Sequence, residues 1–242
     1  MSTKTARKRR EVTVDNLDES FSENWLMNFN IKKPFYFNPA HKEFYRCIKH
    51  KDTKIAFVDG PAGSMKTYIA VYAGIELLKD KQYDRIVYIR SIAESAEKSL
   101  GSLPGEVDDK FSPYAIPLDE KVIEISGAGT CNMLKQKGLI EAIPVNFVRG
   151  LTFNKTLVIV DEAQNLSRKE LTTILTRFGR NTKYIVIGDC NQADVNKSGY
   201  QEIFNMFNTH QSAENDIHSF KFGPAEISRS KILRFICKVL GT

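Results

Sequence analysis

A run of eight residues has the composition and spacing of a phosphate-binding loop. It lies between an apolar run at 55–58 and a helical pattern that starts at Lys66. In such a loop the backbone N–H groups and the positive end of the following helix surround the phosphate oxygens of a nucleotide. Lys66 is then expected to reach the β- and γ-phosphates, and the Thr67 hydroxyl to ligate Mg²⁺. The eight residues are Gly60, Pro61, Ala62, Gly63, Ser64, Met65, Lys66 and Thr67.

One position of this loop departs from the usual pattern. Met65 stands where G-x-x-x-x-G-K-[ST] has its second glycine. We expect Met65 to adopt right-handed helical dihedral angles, which an L-residue accepts easily at the start of a helix. Its side chain must turn away from the nucleotide, so Met65 is expected to weaken or reshape nucleotide binding. The alternative for the whole stretch is a glycine-rich turn that binds nothing.

Two adjacent carboxylates end a second apolar run. Residues 157–160 read LVIV, and Asp161 and Glu162 follow directly. A buried strand that ends in acids, downstream of a phosphate-binding loop, is typical of a Walker B segment. Asp161 would hold the hydration shell of Mg²⁺, and Glu162 would act as general base on the attacking water. The alternative is a strand end that carries acids because strand ends are solvated. Glu162 also favours hydrolysis over transfer to a second substrate.

A third polar stretch follows another apolar run. Residues 188–192 read GDCNQ and come directly after 184–187. In an open α/β sheet, the loops at the carboxyl ends of the strands converge on the ligand crevice. Gln192 is therefore expected to hydrogen-bond the γ-phosphate and to report its loss. Cys190, in the same stretch, is interpreted as a small buried or half-buried thiol.

Short apolar strands and helical patterns alternate along the chain. Strands that are apolar on both faces and alternate with helices indicate a parallel sheet covered on both sides. The section from 91 to about 140 is less regular. Ser167 and Glu170 have the spacing of a capping box, and Gly179 suits the C-terminal cap of the helix that follows. The predicted strands are 54–58, 85–89, 145–148, 157–160, 184–187 and 218–222, and the predicted helices are 40–50, 66–79, 171–178, 199–208 and 229–240.

Length and composition limit the class of protein. A chain of 242 residues with 42% hydrophobic content is long enough for one well-cored domain. No apolar run approaches the roughly 20 residues that cross a bilayer, and the N-terminus lacks the apolar core of a signal peptide, so we expect no membrane partner. The four cysteines are far apart and form no C-x-x-C pair. This pattern argues against a disulfide framework or a zinc site and indicates a reduced, cytoplasmic compartment.

The net charge of +6 comes from one end of the chain. Five basic residues and no acid lie among the first ten residues, and basic and acidic residues nearly balance over the rest. We expect residues 1–30 to form a basic, largely disordered tail and residues 31–242 to form a P-loop ATPase domain. Such a tail can add contacts to the phosphates of a nucleic acid, or it can serve only as a solubilising end.

The motifs, taken in order, resemble the PhoH family of P-loop ATPases. Besides the phosphate-binding loop, the matching segments are 90–105, 148–152 (VRGLT), 160–165 (VDEAQN), 175–179 (LTRFG), 188–192 (GDCNQ) and 197–199 (KSG). The resemblance covers residues 38–240. It implies a RecA-like P-loop NTPase of the α/β class, with a mostly parallel sheet and helices on both faces. The Walker B strand would then lie one strand away from the strand that precedes the loop.

The resemblance also implies an activity, cofactors and partners. A member of this family is expected to bind and hydrolyse ATP with Mg²⁺. It is expected to assemble as a homo-oligomer, often a hexameric ring, and RNA or single-stranded DNA is the candidate partner. Lys66, Glu162 and Gln192 would be catalytic, with Gln192 as the γ-phosphate sensor. Arg229 matches the family's late arginine and would neutralise transition-state charge, in cis or on the nucleotide of a neighbouring subunit.

Departures from the family pattern leave other functions open. Met65 favours a nucleotide-dependent assembly module, in which ATP holds subunits together and hydrolysis is vestigial, whereas Glu162 and Gln192 favour an active ATPase. A phosphotransferase would use the same loop, but no acceptor-binding lid is recognisable in the sequence. The glutamine that the family carries ahead of the first strand, an adenine contact, is replaced by His41 or Lys42. Phosphate binding is therefore better supported than a preference for adenine.

Overall fold

The computed structural model describes residues 25, 26, 28–34, 37–91, 107–192, 198–228 and 230–240, with 107–113 and 240 described by their backbone alone. It divides into two compact units, residues 1–30 and 31–242. In the smaller unit, the ring centroids of Trp25 and Phe29 lie 5.4 Å apart. The disorder expected for the N-terminal tail, residues 1–30, concerns mostly residues outside this description, since only 25, 26 and 28–30 of them are described.

Six strands of the described chain form one sheet in the larger unit. They are β1 (Ile55–Asp59), β2 (Arg85–Arg90), β3 (Ile140–Pro144), β4 (Thr156–Asp161), β5 (Lys183–Gly188) and β6 (Ile217–Lys221). Their order is β3-β2-β4-β5-β1-β6, and every neighbouring pair is parallel. The predicted α/β class with a parallel sheet is therefore confirmed. One strand, β5, separates β4 from β1, as the family resemblance implies.

Helices cover both faces of this sheet. The described helices are α1 (Pro39–Lys49), α2 (Lys66–Lys79), α3 (Val107–Ser126), α4 (Ala128–Gln136), α5 (Arg168–Leu175), α6 (Tyr200–Phe207), α7 (His210–Glu214) and α8 (Lys231–Leu240). On one face, Phe57 and Val158 share a buried cluster with Leu171 of α5 and Phe204 of α6. On the other face α2 approaches so closely that a Cβ on Gly74 would lie 2.7 Å from Leu157. Successive strand residues point to opposite faces, which explains why these strands are apolar throughout.

Three sequence expectations about elements are wrong. The section 91–140, expected to be less regular than the rest, contains the 20-residue helix α3 and the helix α4. Two prolines within α3, at 113 and 117, resemble helix breakers in the sequence. The strand expected at 145–148 is β3 at Ile140–Pro144, because residues 145–147 instead form a 3₁₀ turn.

Gly179 is the third error, because it does not cap α5. The capping box of Ser167 and Glu170 is present, but the helix ends at Leu175 with Thr176 as its C-terminal cap. A Cβ on Gly179 would lie 1.8 Å from the Phe153 carbonyl oxygen. Gly179 is therefore explained by the close approach of two backbone segments.

No helix in the described part of the chain is both long enough and apolar enough to cross a membrane.

Candidate active site

A cleft of about 340 Å³ opens where the loops after β1, β4 and β5 meet. The three polar motifs of the sequence line this cleft together, as expected at the carboxyl ends of parallel strands. Its volume falls within the roughly 300–1,000 Å³ that is typical of small-molecule sites. Other residues that line the cleft had no role in the sequence analysis, and they include Tyr68, Lys121, Glu124, Gln164 and Ser228.

Two glycines of the phosphate-binding loop are required by its geometry. A Cβ on Gly60 would lie 2.7 Å from the Cβ of Phe222, so no larger residue fits where the loop leaves β1. Gly63 has a φ of 78°, in the left-handed region that favours glycine. The Ser64 hydroxyl donates to the Pro61 carbonyl at 2.7 Å and closes the turn. The loop is thereby held in a compact turn at the N-terminus of α2, where a phosphate is favoured.

Met65 does not have the right-handed backbone expected from the sequence. Its φ is 64° and its ψ is 12°, so it occupies the left-handed region as the residue that precedes α2. The chain needs this conformation to turn from the loop into the helix, which explains why the pattern has a glycine at this position. Met65 lines the cleft despite the steric cost of this conformation.

Lys66 lies folded against its own loop at the base of the cleft. Its Nζ donates to the carbonyl oxygens of Gly60 at 2.5 Å and Pro61 at 2.9 Å. Burial lowers the pKa of the Lys66 ammonium, and the nearby carboxylates of Asp189, Asp161, Glu162 and Asp59 oppose that shift. The loop thus holds a cation that can exchange its carbonyl partners for phosphate oxygens.

Thr67 and Asp161 form the pair that could hold a metal ion. The Thr67 hydroxyl lies 3.1 Å and 3.2 Å from the two carboxylate oxygens of Asp161. Asp161 also accepts from the Tyr88 hydroxyl at 2.5 Å and from the backbone N–H of Glu162 at 3.0 Å. Burial, and after it the charge of Asp161, raises the pKa of Tyr88, so the phenol remains a donor. The carboxylate is therefore fixed in orientation at only 5% exposure.

This oxygen donor set fits Mg²⁺. Magnesium prefers hard oxygen ligands and usually binds through one or two protein groups, phosphate oxygens and water. A hydroxyl and a carboxylate beside a phosphate-binding loop meet that requirement. No cluster of three or more His, Cys, Asp or Glu side chains suited to a metal occurs within the described ranges. The site is therefore of the kind that needs the nucleotide to complete it.

Glu162 is held at the mouth of the cleft by two polar neighbours. Its Oε1 lies 3.6 Å from the Arg90 guanidinium, and its Oε2 accepts from the Gln164 amide at 2.6 Å. The side-chain oxygen of Gln164 in turn accepts from the backbone N–H of Asp189 at 3.1 Å. Gln164 therefore links the β4 carboxylate to the loop after β5. The sequence showed this glutamine only as a letter of the VDEAQN segment, because one of its two partners, Asp189, lies 25 residues further along the chain.

The loop after β5 places one exposed and one buried polar group beside the cleft. Gln192 is exposed and lines the cleft, where the sequence analysis expected it. Asp189 is buried, its Oδ2 has no hydrogen-bond partner among the described residues, and burial raises the pKa of its carboxyl group.

Cys190 lies in the same loop, and its backbone N–H donates to Asp59 at 2.9 Å. Burial, together with the Asp59 carboxylate, raises the pKa of the Cys190 thiol to about 12. Cys190 is therefore a half-buried thiol, as interpreted from the sequence.

Two further sequence predictions concern the edges of this site. Arg229 lies outside the described residues, while its neighbour Ser228 donates its backbone N–H to the Gly63 carbonyl at 3.2 Å. His41 is 1% exposed and completes the N-terminal capping box of α1 with Asn38. Burial lowers the pKa of His41. Lys42 is exposed on the same helix.

The chain was compared with known protein families and curated proteins. The family model described as PhoH-like protein matches residues 36–241. The chain is similar to a PhoH-like protein of Bacillus subtilis (strain 168), with 37% identity over 158 residues, which covers 65% of this chain and 49% of the relative. It is similar to a PhoH-like protein of Synechocystis, with 36% identity over 66% of this chain and 49% of the relative. Protein PhoH of Escherichia coli (strain K12) is 32% identical over 81% of this chain and 54% of its own length. The chain thus spans about half the length of these relatives.

Proposed function

The chain belongs to the PhoH family, a family of P-loop NTPases, and from this premise we propose that it binds and hydrolyses ATP with Mg²⁺. The observation that carries the proposal is the pair of Thr67 and Asp161, with oxygens 3.1 Å apart, on the same cleft floor as Lys66. A glycine-rich turn that binds no ligand does not require a lysine, a hydroxyl and an oriented carboxylate close together. Their convergence supports a bound nucleoside triphosphate.

We assign the following roles to the residues of the cleft. The phosphate-binding loop, residues 60–67, binds the phosphates through its backbone N–H groups and the Lys66 side chain. Thr67 and Asp161 hold Mg²⁺. When bound, this ion neutralises charge on the phosphate oxygens. Glu162 accepts a proton from the attacking water, and Gln164 keeps its carboxylate in place. Gln192 senses the γ-phosphate, and Arg229 neutralises charge in the transition state.

ATP binding by the purified chain tests the phosphate site. Wild-type protein is expected to bind a fluorescent ATP analogue with Mg²⁺ and to bind it more weakly in EDTA. Lys66→Ala is expected to weaken binding about 10-fold to 100-fold, since a charge-assisted hydrogen bond contributes roughly 1.5–3 kcal/mol. Lys51→Ala, at an exposed lysine outside the cleft, is the matched control and keeps wild-type affinity. Equal affinity of Lys66→Ala and wild type would contradict the assignment.

A second function, the nucleotide-dependent assembly module, is favoured by one observation. Met65 occupies a left-handed conformation and lines the cleft, so its side chain reduces the room for a nucleotide. In that case ATP would bind and change the oligomer, and no phosphate would be released. Phosphate release measured beside the oligomeric state distinguishes this module from an ATPase.

We also propose a homo-oligomer, the hexameric ring of the family resemblance, that acts on RNA or single-stranded DNA. A groove of about 460 Å³ on α5 supports the nucleic-acid partner. The described residues that line it provide three cations and three hydroxyls but no carboxylate, a composition suited to a phosphate backbone. Arg168 is partly neutralised by Glu202 at 2.8 Å. The α5 groove consists of Arg168, Lys169, Thr172, Thr173, Thr176 and Arg177.

A further inference from the structure

Helix α8 exposes an apolar stripe. Ile232, Phe235, Ile236 and Val239 are 63%, 61%, 43% and 67% exposed, and their spacing places them on one side of the helix. Among the described side chains of α8, only Cys237 is buried. A ten-residue helix is not stable alone in water and depends on tertiary packing. The stripe of α8, defined by these four exposed residues, is therefore an apolar surface of the kind that forms interaction sites.

The charges beside this stripe restrict what can cover it. Lys231, Arg234 and Lys238 are exposed on α8, and residues 231–240 contain no acid. Two copies of α8 packed against each other would place their cations side by side. The tail at residues 1–10 carries five positive charges and no acid, so it is repelled in the same way. The occupant must combine apolar side chains with negative charge. Residues 11–24 of the same chain also combine apolar residues with five acids and no base, so docking of this segment within one chain is the competing outcome, which a monomeric wild-type protein would reveal.

Helix α3 presents a surface of that kind. Ile116 is 51% exposed and Ile123 is 43% exposed, and the exposed Glu120 lies between them along the helix. Their spacing of four and three residues puts all three on one side of α3. The α3 stripe, defined by these three residues, thus offers apolar contacts and the opposite charge to the α8 stripe. The exposure of both stripes shows that neither covers the other within one chain.

We infer that the α8 stripe of one copy docks on the α3 stripe of a second copy. Because the two surfaces differ, the contact is head-to-tail and can repeat into a closed ring. Helix α3 lines the nucleotide cleft through Lys121 and Glu124, and Ser228, three residues before α8, contacts the phosphate-binding loop. The interface therefore lies where a nucleotide can influence it. This inference rests on the proposed homo-oligomer and names its surface.

The molar mass of the full chain in solution, measured by light scattering with ATP analogue and Mg²⁺, tests the surface. Wild-type protein is expected to be oligomeric and Phe235→Glu to be monomeric. Met206→Glu is the control, because Met206 is an exposed apolar residue of α6 at 55% exposure, and this variant is expected to stay oligomeric. Circular dichroism and binding of the ATP analogue verify that each variant is folded. A wild-type monomer overturns both the homo-oligomer and this inference, whereas an oligomeric Phe235→Glu overturns the inference alone.

Mixing two defective variants tests the head-to-tail arrangement. Phe235→Glu blocks the α8 stripe, and Ile123→Glu blocks the α3 stripe, so each variant alone is expected to be monomeric. A mixture restores one intact contact, between α8 of the Ile123→Glu chain and α3 of the Phe235→Glu chain. The expected product is a one-to-one dimer that grows no further. A mixture that remains monomeric overturns the pairing, and so does a wild-type chain whose α8 stripe binds anionic vesicles while the chain stays monomeric.

Discussion

At the scale of a single residue, Met65 has a strained backbone conformation between the phosphate-binding loop and α2. Its φ of 64° lies where an L-residue is disfavoured by contact between its Cβ and the following carbonyl oxygen. Lys81, with a φ of 55° at the end of α2, carries the same strain away from the cleft. A comparison of glycine substitutions at these two positions therefore separates the effect of backbone strain on stability from an effect on nucleotide binding.

Replacing Met65 with glycine is expected to stabilise the protein and to tighten nucleotide binding. Removal of the strained Cβ raises the free energy of unfolding by about 1 kcal/mol, and removal of the side chain enlarges the cleft. Thermal unfolding and titration with an ATP analogue measure the two effects. Lys81→Gly is expected to give similar stabilisation with unchanged affinity. A Met65→Gly variant with a lower melting temperature than wild type would contradict the account.

At the scale of the element, Lys183 fixes the end of α1 against the sheet. It is fully buried in β5, and its Nζ donates to the carbonyl oxygens of Ile48 and His50, both at 2.6 Å. These oxygens belong to the last turn and cap of α1, where carbonyl groups lack partners within the helix. Burial lowers the pKa of Lys183 to about 8. One side chain thus satisfies the C-terminus of a helix from the neighbouring strand.

Lys183→Met is expected to lower the free energy of unfolding by about 1–3 kcal/mol at neutral pH, because it leaves buried carbonyl oxygens unpaired.

The difference in the free energy of unfolding between wild type and Lys183→Met also depends on pH. Between pH 8 and about 10.4, the ordinary pKa of lysine, the unfolded wild-type chain binds a proton that the folded chain has lost. Wild-type stability should therefore rise with pH across this window relative to the variant. Denaturant unfolding at several pH values measures the difference in stability between wild type and Lys183→Met, with Lys169→Met at an exposed lysine of α5 as control. If the free energies of unfolding of wild type and Lys183→Met came closer together as pH rises, the proposed role of Lys183 would be contradicted.

Some strands and helices could be predicted from the sequence, whereas other elements and several contacts of the site could not. The strands β4 and β5 were placed within one residue at each end, because strands buried on both faces give continuous apolar runs bounded by polar residues. Helix α3 was not predicted, and the two prolines within it are local signals against a helix that the folded chain overrides. The backbone of Met65 and the bridging role of Gln164 depend on how distant segments meet, which spacing along the chain does not record.

At the scale of the whole molecule, positive charge is divided between the N-terminal tail and local surfaces such as the α5 groove. Lys169 is exposed at that groove. We expect Lys169→Ala to weaken binding of single-stranded RNA for every sequence and to reduce the salt dependence by about one counterion. Fluorescence anisotropy at several salt concentrations measures both. Lys51→Ala is the control, because it removes one lysine outside both the tail and the α5 groove, and it is expected to leave RNA binding unchanged. RNA binding that Lys169→Ala leaves unchanged would assign the contact to the tail instead.

Hydrolysis of ATP in a single turnover tests the central proposal most directly. Wild-type protein in excess over ATP, with Mg²⁺, is expected to release phosphate, and Glu162→Gln is expected to release it at least about 100-fold more slowly, because the amide cannot accept the proton of the attacking water. ATP affinity should be unchanged, since Glu162 has no proposed part in binding the phosphates. Glu43→Gln, at an exposed glutamate of α1, is the matched control. A Glu162→Gln variant that hydrolyses ATP at the wild-type rate, or a wild-type chain that binds ATP and releases no phosphate, would contradict the proposed ATPase.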